Sequence, residues 1–297
     1  MSFILFIQNF IKASFQVVES CAKILLLSKF SNKISPERKS KKVLILGNGP
    51  SLTNDLQSHP NFLTGKDLIC VNHFPSTGLY TELKPSIYIT AAPDLWLDDI
   101  DERFVIQSKI LFDNIANKTT WPLEFYIPFE ARKHKRWLNQ ISHNTHIQIR
   151  YYNNIPVEGW SWFKYLCFNN KLGMPRPHNV MIPSLMISIW KGYNKIYLLG
   201  ADHSWLSEIS VTDSNEVLIN QKHFYDSQSS SGQPLDKRGK GKRNLSELLH
   251  KFTTAFASYF EIRAYAERKK VTVLNATKGS FIDAFDRIKP EQEEYEG

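Results

Sequence analysis

The sequence predicts an α/β fold with a mostly parallel sheet flanked by helices, and three observations carry that prediction. Short apolar runs recur at Val43–Leu46, Leu68–Val71 and Ile196–Leu199. Each stops abruptly in glycine or polar residues, as strands buried on both faces of a parallel sheet do. Stretches with helical signals stand between them, so strand and helix alternate. With 42% apolar and 22% charged residues among 297, the chain can bury a sizeable core and lacks a disordered composition.

Taken in order, the first thirty residues predict an amphipathic helix. Gln8, Lys12, Gln16, Glu19 and Lys23 recur at helical spacing as one polar stripe. Phe3, Phe6, Ile7, Phe10, Val17, Cys21 and Ile24 fill the other face, widened by Leu25–Leu27. The stripe is too polar for a spanning helix, and no basic stretch precedes the apolar residues as in a secretory signal. Two readings stay open. The helix lies in a membrane interface with the basic stretch Lys29–Lys42 against headgroups, or it docks on its own domain or a partner subunit. Residues 31–40, with Pro36, read as a linker, which makes 1–40 an appendage to a domain over 41–290.

Within that domain Ile87–Thr90 is a further strand, and Ile110–Phe112, Phe125–Ile127 and Ile147–Tyr151 are weaker strand candidates. Pro183–Lys191 predicts a helix with proline in its first turn and Gly192 as its stop. Ser246–Lys270 predicts a long helix capped by Ser246, with Leu249, Phe252, Phe256, Phe260 and Ala264 along one face. Val271–Leu274 is the last strand, and 291–297 reads as a frayed acidic tail.

Charge narrows the partners. The net charge of +8 is concentrated in residues 1–42 (+6) and 227–243 (+4), leaving a near-neutral body. A nucleic-acid binder would spread its basic residues over a folded face. A basic segment beside an apolar helix points to an anionic membrane surface. Three widely spaced cysteines, Cys21, Cys70 and Cys167, fit neither a disulfide scaffold nor a cysteine zinc site, and they suit a reducing cytoplasm.

Ligands of open parallel sheets bind outside the carboxyl ends of the strands. Three such ends are polar or glycine-rich: Gly47-Asn48-Gly49-Pro50-Ser51, Asn72-His73 and Gly200-Ala201-Asp202-His203. Glycines let a phosphate or ribose approach the main chain, and the next helix offers free N–H donors. No Lys-Ser/Thr pair follows the first loop, which disfavours a phosphate loop of the Walker type. Asp99-Ile100-Asp101 formally matches a metal motif of other glycosyltransferases, but its surroundings read as a solvated acidic helix start.

Four segments, in order, resemble the bacterial sialyltransferases of the Campylobacter type and the related flagellin-glycosylation and pterin-diphosphokinase-like domains. They are Val43–Leu52, Cys70–Phe74, Ile182–Asp202 and Asn275–Ser280, within about residues 42–285. The resemblance implies a Rossmann-like domain (a variant of the GT-A type) with a flexible lid, here about 227–245. It implies metal-independent transfer of an acidic sugar from a CMP-sugar donor to a glycan of lipopolysaccharide, O-antigen or capsule. No cofactor is then needed, because side chains hold the single phosphate.

By position, Gly47, Asn48, Gly49, Ser51, Asn72, Ser184 and Gly200 would form the nucleotide and phosphate site, with Asp202 and Ser280 beside the cytidine. Asp94, in Ala92-Pro93-Asp94, stands in the donor-sugar region. The family has asparagine before that proline, which leaves sialic acid, Kdo and other nonulosonic acids open as the sugar. The general base falls on one of three histidines: His250 after the lid, His223 where the family has a phosphate-binding tyrosine, or His203. Two other readings remain: an ATP- and magnesium-dependent pterin diphosphokinase, and a membrane-peripheral nucleotide fold without catalysis. The first reading places the chain in the cytoplasm on the inner membrane, with a lipid-linked or surface glycan as acceptor, and leaves oligomerisation open.

Overall fold

A computed structural model describes residues 3–30, 34–220, 223–225, 232–234 and 241–294. Eight strands form one parallel sheet: β1 Lys42–Leu46, β2 Asp67–Val71, β3 Ile87–Ile89, β4 Leu123–Pro128, β5 Ile147–Tyr152, β6 Lys195–Leu199, β10 Thr272–Asn275 and β11 Asp286–Arg287. A small antiparallel sheet holds β7 Ile209–Val211, β8 Val217–Ile219 and β9 Gln233–Pro234. The order of the large sheet is β11-β10-β6-β1-β2-β3-β4-β5. The chain winds outward from β1 through β5, then crosses back to place β6 on the other side of β1. The helices are α1 Phe3–Leu27, α2 Leu52–Ser58, α3 Leu79–Leu83, α4 Glu102–Lys118, α5 Lys135–Ile141, α6 Ser161–Asn169, α7 Met181–Lys191, α8 Leu245–Arg268 and α9 Pro290–Glu294. This Rossmann-like arrangement is the predicted fold class.

The apolar runs follow from burial on both faces, because successive strand residues point to opposite sides. Val43 and Ile45 of β1 join Ile69, Val71, Ile196 and Leu198 in a core covered by α6, α7 and α8. Leu44 and Leu46 join Cys70, Tyr88, Tyr197 and Leu199 in a second core covered by α2, α4 and α5. The candidates Phe125–Ile127 and Ile147–Tyr151 lie in β4 and β5, and Gly192 ends α7 at a φ of 83°.

Several expectations need correction. Ile110–Phe112 is not a strand but part of α4, whose buried Ser108, Leu111, Phe112 and Ile115 follow helical spacing. Asp101 caps that helix by accepting the Arg103 N–H, which places the Asp-x-Asp triplet at a helix start. The cap of α8 is Asn244, paired with Glu247 in a reciprocal capping box, and not Ser246. Its buried face is Leu248, Phe252, Ala255, Tyr259 and Ile262, while Leu249 and Phe260 are exposed.

Val271–Leu274 is followed by a further strand, β11. The acidic tail is partly ordered as α9: Glu293 is buried and accepts hydrogen bonds from Lys42 Nζ (2.8 Å) and the Tyr197 hydroxyl. Residues 295–297 lie outside the described residues. The linker is packed rather than loose, since Ile34 sits in the core and the Lys39 and Ser40 N–H groups donate to Asp67. Of the expected lid, 227–231 and 235–240 lie outside the described residues.

The amphipathic α1 docks on its own domain. Ser20 and Ile24 are buried, and Val17 and Cys21 pack against the core. Ser20 Oγ donates to the Glu158 carbonyl and accepts the Glu158 N–H. A second apolar arc, with Ile4, Ile7, Ile11, Phe15, Val18 and Leu25, stays exposed. No helix among the described residues is long and apolar enough to cross a membrane.

Candidate functional site

A cavity of about 740 Å3 opens at the carboxyl edge of the sheet, where β1 has β2 on one side and β6 on the other. This is the reversal point of the strand order, the position that binds ligands in open α/β sheets.

Its floor is made by two interlocked loops. The Gly47 N–H donates to the Leu199 carbonyl and the Gly49 N–H to the Gly200 carbonyl, both at 2.8 Å. A Cβ at position 47 would lie 2.3 Å from the Gly200 oxygen, and one at 49 would lie 1.8 Å from Asp202 Oδ2. Only glycine allows this approach, so both residues shape the floor by absence of a side chain. Asp202 accepts from Ser51 twice, at Oδ1 from the N–H (3.2 Å) and at Oδ2 from the hydroxyl (3.0 Å). Burial raises the proton affinity of Asp202, and the two Ser51 bonds oppose that rise.

Four asparagines around this cavity have a buried amide atom with no partner in the protein. They are Asn48 Oδ1, Asn72 Oδ1, Asn154 Oδ1 and Asn179 Nδ2. Asn48 is held by its Nδ2 donating to the Val71 carbonyl, and Asn72 by its backbone at a φ of 46°. Buried polar groups are costly when unmatched, and these four belong to residues that line one cavity, so the unmet atoms cluster within its walls.

Cationic and imidazole groups line the same cavity. Arg243, His250 and Lys251 come from α8 and its approach, and His178 precedes α7. His178 is pushed down to about 4, first by burial and then by Lys251, Arg176, His250 and Arg243. A positive field in the cavity suits an anionic ligand. Asp94 and Asp202 line the same cavity. Among the described residues no three His, Cys, Asp or Glu side chains are grouped to hold a metal ion.

Of the residues singled out in the sequence, Gly47, Asn48, Gly49, Asn72, Asp94, Gly200, Asp202, His203, His223 and His250 line this space. Three do not. Ser51 supports Asp202. Ser184 is fully buried inside α7, where its hydroxyl donates to the Val180 carbonyl one turn back. Ser280 is buried behind the floor, donating to the Ala201 carbonyl and accepting from Asn275 and Ile282. These serines position main chain and do not face a ligand.

His203 is a wall support. Its Nε2 lies 2.6 Å from the Tyr259 hydroxyl, which donates to Asn179 Oδ1 (3.1 Å). Asn179 Oδ1 also accepts the Met181 N–H (2.9 Å), so the amide is fixed with its Nδ2 unpaired. Burial lowers His203 from 6.5 to about 3. An unfolded chain binds protons at these rings near pH 6.5, whereas the folded chain resists them. The stability contributed by neutral His203 and His178 is therefore complete above pH 6.5 and is lost as pH falls toward 4 and 3. The thermal midpoint should fall between pH 6.5 and 4, and His203→Gln should flatten that slope. A midpoint that is level through this window contradicts the assignment.

Sequence reasoning missed Asn154, His178, Asn179 and Lys251, whereas Arg243 closes the basic lid segment that the charge pattern picked out. Asn154 follows the end of β5, so the strand-end rule could have found it. The others are brought in by the packing of α7 and α8.

No family model matches the chain, and no curated protein matches it.

Proposed function

We propose that the protein is a metal-independent glycosyltransferase. It moves an acidic sugar, of the sialic acid, Kdo or nonulosonic acid class, from a CMP-sugar donor to a lipid-linked or surface-polysaccharide acceptor. The observation that carries this reading is the cavity at the sheet's reversal point, with its closely packed glycine floor and a lining of asparagines and cationic side chains.

Each part has a task in that chemistry. Asn72 and the main chain of the glycine loop offer hydrogen-bonding groups to a pyrimidine or ribose, and the glycine floor admits them closely. Arg243, Lys251 and the histidines offer cationic or donor groups to the phosphate and the sugar carboxylate. CMP leaves with one phosphate, so less charge develops than with a diphosphate, and fixed side-chain donors can stabilise it. A histidine takes the acceptor hydroxyl's proton as the anomeric carbon loses CMP. The exposed apolar arc of α1 supports a position on the cytoplasmic face of the inner membrane, within reach of a lipid-linked acceptor.

Thermal unfolding with a panel of nucleotides in EDTA tests this reading. A ligand at one hundred times its Kd stabilises the native state by about 2.7 kcal/mol. CMP and a CMP-sugar should raise the midpoint, UMP and ATP should not, and Asn72→Ala should reduce the shift. No response to any cytidine nucleotide would refute the donor assignment.

A further inference from the structure

The apolar arc of α1 is wider than docking requires. Val17, Ser20, Cys21 and Ile24 face the domain, while Ile7, Ile11, Phe15 and Val18 form an adjoining exposed strip. The place of docking is specific. Lys29, just past α1, exchanges two hydrogen bonds with Asn153, which follows β5 (2.8 and 3.0 Å). Ser20 bonds Glu158, and Gly159 lies so close that a Cβ would meet Val17 at 2.6 Å and the Ala13 carbonyl at 2.8 Å. Asn154 in this same stretch lines the cavity. Glu158 also pairs with Arg176 at 2.6 Å, just before His178 and Asn179 on the cavity wall. The helix is thus fastened to the segment that forms the cavity's rim.

A basic surface adjoins the end of this helix. Lys29 Nζ and the Arg132 guanidinium lie over the ring of Phe129, at 5.8 and 4.4 Å. Arg132, Lys133 and Lys135 line an open depression of about 430 Å3 with Tyr151 and Leu138. With Glu130 counted, Lys29, Arg132, Lys133 and Lys135 leave this surface at +3. Phe129–Lys133 directly follows β4, and every strand of the large sheet runs parallel, so this surface and the cavity share one edge.

We propose that the exposed strip of α1 and the basic surface of Lys29, Arg132, Lys133 and Lys135 form a single bilayer-binding face that turns the cavity's edge toward anionic lipid. The inference rests on the membrane-peripheral reading above and adds the orientation. Apolar residues enter the acyl boundary while the neighbouring cations meet anionic headgroups. A second copy of the chain is a poorer occupant, because pairing this face with itself would oppose like charges.

Vesicle flotation of the full chain tests it, using phosphatidylcholine alone and phosphatidylcholine with about one-third phosphatidylglycerol. The wild type should float with the anionic vesicles and be released by salt. R132Q/K133Q/K135Q should weaken that binding about 100-fold. K84Q/K269Q/K270Q removes the same charge next to the amino ends of β3 and β10, and should change it less than about threefold. I11S/F15S should abolish flotation with an unchanged thermal midpoint. Equal loss in the two lysine–arginine sets would mean that net charge alone matters, and would overturn the orientation while leaving membrane binding intact. A wild type that floats with neither vesicle would overturn the membrane reading itself. Light scattering that then shows a dimer abolished by I11S/F15S would give the strip to a second copy.

Discussion

His250→Ala should lower turnover by about two to four orders of magnitude in a CMP-sugar transfer assay, with the donor KM little changed. Four histidines line the cavity, and His178 is held neutral by burial and its cationic neighbours. His203 is committed to Tyr259 and held neutral by burial, so it has no proton-accepting duty to perform. His223 stands beside the glycine floor: its ring stacks on Tyr225 at an interplanar angle of 3°, and the next residue, Phe224, donates its N–H to the Asn48 carbonyl. That position suits a phosphate contact, so His223→Ala should raise the donor KM more than it lowers kcat. His250 stands on α8 beside Lys251 and lines the same cavity. A large kcat defect in His223→Ala instead would exchange the two roles. Undiminished turnover in both variants would leave the reaction without its base.

Glu124→Leu should destabilise the fold by about 3–5 kcal/mol, read by urea unfolding. Lys191, the last residue of α7, has a side chain with no solvent exposure, and its ammonium lies 2.5 Å from Glu124 at the start of β4. It also donates to the Ser35 carbonyl at 3.0 Å. Removing the carboxylate leaves a buried cation with one neutral acceptor. The double variant Lys191→Met with Glu124→Leu should recover most of the loss, because removing both charges also removes their desolvation cost. This pair sits at the amino edge of the sheet, so ligand binding by the folded fraction should survive. A loss under about 1 kcal/mol in the single variant would show that water reaches the ammonium.

Strand ends were legible in the sequence because residues buried on both faces give unbroken apolar runs, and the polar residues after them stand at the ligand-binding edge. Asn48, Asn72 and Asp202 were found in this way and do meet in one cavity. Ile110–Phe112 was misread because three apolar residues cannot distinguish a strand from one turn of a buried helix. Ser184 and Ser280 lie at the right places along the chain, but their hydroxyls are used up by nearby carbonyls. The basic lining was illegible for a different reason. His178 lies far in sequence from Arg243 and Lys251, and only the packing of α8 beside the entry to α7 brings them together.

The central place of β1 bears on how the chain is made. This first strand of the sheet needs a partner on each side, yet β6 is synthesised about 150 residues after it, roughly ten to thirty seconds later on a ribosome. Until then the nascent half-sheet carries an apolar edge with unmet main-chain groups, just where the substrate floor will form. Building a crevice at the seam between the two halves therefore leaves the central strand open to mispairing until the second half arrives.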